Sequence, residues 1–362
     1  MPDPISYLKA AIAAVVASAV IVLAFRLVMR KSVQSIAAVI GVLAVGVGAV
    51  TGYGVLQFSW TWPPANGLNR FLMIVLPATV IVELLAAVSG RAWLPSRDQQ
   101  LGRSLAFPSG DADRERPGVR ILMNSATKRV GSLFAFGFRL ALYASVGRIL
   151  LHDSVYLGDV GSGNPDAWTF AQTVTRFGNS FVVLIAVWSL LCRLSERSAV
   201  ASINLSFAVT ILCTGLVTMM AGYIKGGAAA IPLAAALAGT TLASPLLAKG
   251  SGGSDKGSIQ GTIGIGVIGL FSLLCIGHYF GQLTGLRAIV LFLTPLLCWV
   301  SELPKLRSRS PWQKSGVRLI AVTIVLAAVL FVAKQDFDRK MAQLLVSVSS
   351  PDTELSLSAA SN

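Results

Sequence analysis

Two residues of opposite charge, Glu83 and Arg139, fall within stretches otherwise apolar enough to lie in lipid. A guanidinium at the centre of a bilayer costs on the order of 3 kcal/mol or more, so it requires a partner or a wet cavity. Arg139 stands nine residues into Val130–Leu151, VGSLFAFGFRLALYASVGRILL, which is roughly 13 Å deep at about 1.5 Å per residue. Glu83 stands five residues from the end of Phe71–Val88, roughly 8 Å deep by the same rise. The two heights are within reach of an arginine side chain, so Glu83 and Arg139 are expected to pair as a buried polar centre. Such a pair either locks two helices together or serves an ion or proton path. Arg148, half a turn round the same helix and near its end, is expected to snorkel to water as an interfacial anchor.

Other chemical constellations are incomplete. The only histidines, His152 and His278, end separate apolar runs, and a metal site would need them brought together. Asp153, Asp159 and Asp166 lack the spacing of a calcium loop. Pro108-Ser109-Gly110 is followed by Asp111, where a phosphatidic-acid phosphatase motif requires histidine. The Gly/Ser run from Lys249 has Asp255 before its second lysine and so is no phosphate loop. Cys192, Cys213, Cys275 and Cys298 lie inside apolar runs without a CxxC pair and are expected to pack as small apolar residues. No catalytic residue, metal or cofactor is expected, and the chain does not read as an enzyme.

The elements that position these residues follow from hydropathy. Of 362 residues, 54% are hydrophobic and 13% charged, against about 25% charged in a soluble domain. The fold class expected is therefore an all-α polytopic membrane bundle of about ten transmembrane helices. The candidate spans are Ile12–Val28, Ile36–Leu56, Phe71–Val88, Val130–Leu151 and Phe181–Leu194. The remainder are Val200–Tyr223, Ala228–Leu247, Ile259–Phe280, Ala288–Val300 and Leu319–Ala333. Residues 1–333 form one bundle, with a basic loop over 90–129 and a second long loop over 152–176. The polar tail 334–362 is expected to be disordered.

Charge sets the expected threading. Twenty lysines and arginines follow the odd-numbered spans and eight lie on the other side, so the first group should be cytoplasmic and both termini outside. The first span lacks a basic segment ahead of it and reads as an uncleaved helix in the cell (inner) membrane. Tyr53, Tyr156, Tyr223 and Tyr279 each close an outward-running span shortly before a glycine, which predicts four interfacial anchors. The formal charge of +14 is spread in short clusters beside apolar runs, a pattern for anionic lipid headgroups and not for nucleic acid. The partners expected are thus the lipid bilayer and anionic headgroups at the cytoplasmic loops, with a homo-oligomer left open.

Two hairpins resemble each other. IGVLAVGVGAVTGYG with GLNRFLMIVLPATVIVELL, and IGIGVIGLFSLLCIGHYFG with GLRAIVLFLTPLLCWVSEL, share glycine spacing, an arginine opening the return helix, a proline (Pro77, Pro295) and then a glutamate (Glu83, Glu302). LLCxxSE also occurs twice, at Leu190–Glu196 and Leu296–Glu302. Both hairpins run the same way, the mark of a parallel repeat of the kind some transporters carry. Two functions are compatible with these features. One is a transporter or permease for a small solute or ion centred on Glu83 and Arg139. The other is a membrane assembly or scaffold protein that binds lipid or a partner through the basic loop.

Overall fold

The computed structural model describes residues 3–28, 33–58, 60–89, 118–158, 167–197, 200–248, 260–303, 306 and 310–348. Among these there is no strand, and ten helices are long and apolar enough to cross a membrane. The protein is an all-α, multi-pass membrane bundle. The helices are α1 (Pro4–Val28), α2 (Val33–Val55), α3 (Gly67–Ser89), α4 (Gly118–Leu151) and α5 (Phe170–Arg197). They continue as α6 (Val200–Met220), α7 (Ile224–Ala228 and Ala230–Ala248), α8 (Gln260–Tyr279), α9 (Gly285–Leu293, then Thr294–Glu302) and α10 (Pro311–Val348).

α1, α3, α4, α5, α7, α9 and α10 run beyond their hydropathy spans, whereas α2, α6 and α8 end one to three residues before the last residue of theirs. α4 begins twelve residues before Val130, so 118–129 belongs to a helix and not to the expected loop. The rest of that loop, with Arg91, Arg97, Arg103, Arg114 and Arg116, lies outside the described residues, as does 159–166 of the second loop. α10 runs on past Ala333 to Val348, so 334–348 is helical and not the disordered tail expected there, while 349–362 lies outside the described residues. Charged side chains end a hydropathy window without ending a helix, because a helix satisfies its own backbone in water and lipid alike.

α8 is the hub. It packs on α2 through α7 and on α9, and 83% of its span is buried inside the protein, whereas α1 and α10 stand at the edge with 22% each. The sequence QGTIGIGVIGLFSLLCIGHY suits that place, since glycines let neighbours approach closely where lipid offers no hydrophobic drive. The same device joins α1 to α2 and α7. A Cβ on Gly48 would fall 2.8 Å from the Ala14 carbonyl oxygen, and one on Gly239 would fall 2.7 Å from that of Val15.

Three helices depart from α geometry. In α3, Phe71–Val75 forms a π turn in which the Leu76 N–H donates to the Phe71 carbonyl, just ahead of Pro77. In α9, Pro295 opens a 3₁₀ segment, Thr294–Glu302. Proline supplies no N–H to the ladder, and such departures in membrane helices gather where protein surrounds them. α7 is interrupted at Ala229, between its two helical stretches. There the buried Tyr53 hydroxyl donates to the Ala229 carbonyl at 2.9 Å.

Tyr53 was expected at the lipid interface and is instead fully buried, so it is a packing residue and not an anchor. It closes a helix at the membrane edge, but α7 covers that edge. Tyr53→Phe should lower unfolding free energy by about 1–2 kcal/mol by leaving the Ala229 carbonyl unsatisfied. Reversible detergent unfolding measures it, and an unchanged midpoint would mean that bond contributes nothing. Tyr156 and Tyr279 keep a half-buried place at the end of the bundle where the chain starts. Their rings lie 5.3 Å apart and share Trp168, at 5.2 and 5.5 Å. Tyr223 is half-buried at the same end, and Arg148 is exposed.

Candidate functional site: a buried layer of paired charges

The structure brings Glu83 and Arg139 together. Arg139 Nε donates to Glu83 Oε1 at 2.9 Å and Nη2 donates to Oε2, a bidentate carboxylate–guanidinium pair. The Glu83 side chain is 1% exposed and that of Arg139 is 19% exposed. Two observations define the surroundings. On one side the Arg139 guanidinium lies 5.4 Å from the Trp188 ring centre, a cation–π contact from α5. On the other, Gly264 of α8 makes room for the carboxylate, because a Cβ there would fall 2.5 Å from Glu83 Cδ and closer still to Oε1.

One helical turn beyond Arg139, Tyr143 is buried edge-on to Trp188 at 5.8 Å. Its hydroxyl has no hydrogen-bond partner among the described residues and lies in the field of Glu83, Arg139 and Cys192. A buried donor without an acceptor is uncommon in a native protein, so this hydroxyl is a free polar group next to the charged pair.

A second charged group sits at the same end of the bundle. Arg318 is 1% exposed, although its place after the ninth span had suggested a cytoplasmic surface residue. The reason is that α10 starts at Pro311, two turns earlier than hydropathy indicated, and carries Arg318 inside the bundle. Its Nε donates to Ser301 Oγ at 2.6 Å, Nη1 to Ser202 Oγ at 2.9 Å and Nη2 to Glu302 Oε1 at 3.1 Å. Ser202 opens a row on α6 with Ser206, Thr210, Thr214 and Thr218, all buried and four residues apart. Each step of four turns the position about 40° further, so the row winds round the helix, and it is Ser202 and Ser206 that meet α10 and α9. Cys298 Sγ donates to Ser206 Oγ at 3.3 Å, which makes that thiol part of the polar layer and not simple packing.

Between the two arginines, Asn204 Nδ2 of α6 donates to Thr262 Oγ1 of α8 at 2.7 Å. Asn204 Oδ1 has no partner among the described residues and the residue is 1% exposed. Arg139–Glu83, Gly264, Thr262, Asn204, Ser202, Arg318 and Glu302 thus occupy one layer that crosses α4, α3, α8, α6, α10 and α9. Seen from the sequence, only Glu83 and Arg139 stood out. Arg318 was legible in one way alone, since Glu302 matches Glu83 in the repeated hairpin and the next helix should then supply its arginine.

The opposite end is also closed by charges. Arg70, 7% exposed, donates to the His152 carbonyl and, at 2.6 Å, to Asp153 Oδ2. Asp153 itself takes a left-handed backbone, φ 53°, as the chain leaves α4, a conformation that aspartate tolerates better than most residues. Arg287 pairs with Asp336 of α10. No group of three or more metal-ligating side chains occurs among the described residues. Compared with known proteins, the chain matches no family model, and no curated protein or solved structure matches it either.

Proposed function

We propose that this protein is a transporter or permease for a small solute or ion, and that it moves its ligand without transforming it. The observation that carries this reading is the Glu83–Arg139 pair, set into a glycine notch of the most buried helix. Opposite charges deep in a membrane bundle are expensive, and they commonly mark the path of an ion, proton or polar solute. Helices interrupted at depth support the same reading, because transporters build sites from broken helices. In this reading the end bearing Glu83 and Arg318 faces the cytoplasm of the cell membrane, with the basic segments against anionic lipid.

The test is stopped-flow light scattering of proteoliposomes exposed to small solutes of each charge. At least one class should enter faster than in empty liposomes, and Glu83→Gln/Arg139→Gln should cut that rate about ten-fold while the protein stays folded. A bundle that accelerates no solute removes the transport reading. Undiminished flux in the double variant removes these two residues from its centre.

A further inference from the structure

The two similar hairpins each continue into a third helix, and the ion pairs repeat with them. In α2–α4, the arginine that opens the return helix pairs with an aspartate at one end of the third helix (Arg70–Asp153). The glutamate near the close of that return helix pairs with an arginine further along the third helix (Glu83–Arg139). In α8–α10 the same order holds, with Arg287–Asp336 and then Glu302–Arg318, although Asp336 lies inside its helix and Asp153 just past the end of its own. Both return helices also depart from α geometry beside their proline, at Pro77 and Pro295. In both units an arginine and then a glutamate of the return helix thus pair with an aspartate and an arginine supplied by the next helix or by the residues that follow it.

We propose that Arg139 and Arg318 are two equivalent receptor positions for a small carboxylate anion, each occupied in this conformation by its own tethered glutamate. The inference rests on the transport reading for its purpose, since a permeant anion would displace each glutamate in turn.

Four features support the carboxylate class. The planar guanidinium fork is matched to a carboxylate, and Glu83 already satisfies it in bidentate fashion. A spare donor stands beside the first position, because the Tyr143 hydroxyl is buried and without a partner among the described residues. At the second, the hydroxyls of Ser202 and Ser301 orient the guanidinium independently of Glu302, so the receptor would keep its shape when the glutamate leaves. Gly264 gives the first carboxylate space that any larger residue would fill.

Removing each glutamate should turn its place into a site for acetate. The full-length chain carrying Glu83→Ala, or Glu302→Ala, is heated in detergent with sodium acetate or with sodium chloride at equal ionic strength. Each variant should lose thermal stability in chloride and regain about half or more of the lost Tm in acetate, saturably, while the unaltered protein responds equally to both salts. Arg139→Gln and Arg318→Gln should show no acetate effect. If a variant fails to fold in chloride, its purification in acetate gives the same answer, with folded protein in acetate alone as the supporting result and aggregation in both salts as the opposing one. Acetate acting no better than chloride on either variant overturns the proposal, and rescue at one glutamate only overturns the equivalence it asserts. This readout is binding, so it stands apart from flux: solute entry without rescue would keep the transporter and remove the anion class.

Discussion

Arg139→Gln is expected to lower the unfolding free energy by about 3–5 kcal/mol, because it leaves the Glu83 carboxylate buried without a counter-charge. The carboxylate is enclosed by α3, α4 and the glycine notch of α8, so water cannot reach it to take the place of the guanidinium. Glu83→Gln should cost less, since the Arg139 side chain is 19% exposed and keeps the Trp188 ring beneath it. The double variant is expected to recover most of the loss, because two neutral amides of similar volume can bond to each other. A double-mutant cycle in reversible unfolding measures the coupling directly. If both single variants and the double variant lose stability additively, the pair does not interact in the folded protein.

Gly264→Ala is the second large effect, and its sign runs against local propensity. Alanine in place of glycine within a helix is worth about 1 kcal/mol in favour of folding. Here the new methyl would meet the Glu83 carboxylate, which is held from the other side by two bonds to Arg139. The carboxylate must either leave its guanidinium or push α3 off α8, and a net loss of about 2 kcal/mol is expected. In a Glu83→Ala background the obstruction is gone, so the same change should be neutral or stabilising. Thermal unfolding of the two single variants and their combination reads this. A loss of equal size in both backgrounds would show that Gly264 serves some neighbour other than Glu83.

Both effects concern one feature, the insertion of a charged pair between the hub helix and its neighbours. Arg318 reproduces it on the far side of α6, with hydroxyls where Arg139 has a tryptophan. The difference has a physical basis in position. Arg318 meets two hydroxyls that accept from it, Ser202 of α6 and Ser301 of α9, whereas Arg139 meets the Trp188 ring of α5.

The sequence by itself determined the membrane bundle and the ten helices among the described residues that are long and apolar enough to cross a membrane, because transfer of a side chain into lipid is a local free energy that sums along the chain. It also singled out Glu83 and Arg139, since a charge inside an apolar run is visible without knowing its neighbours. Residues at the ends of runs were different. Arg318 next to Leu319 reads identically whether it faces water or another helix, and Tyr53 reads as an interfacial residue until α7 is seen to cover it. The helix ends of α4 and α10 escaped notice for a related reason, as charge interrupts hydropathy but not backbone bonding. Only the tertiary structure decided which helix became the hub, that Gly264 makes room for a carboxylate, and that four ion pairs follow one order in two three-helix units. Those are contacts between residues far apart in the chain, fixed by how ten apolar helices pack on one another, and no property of a single segment contains them.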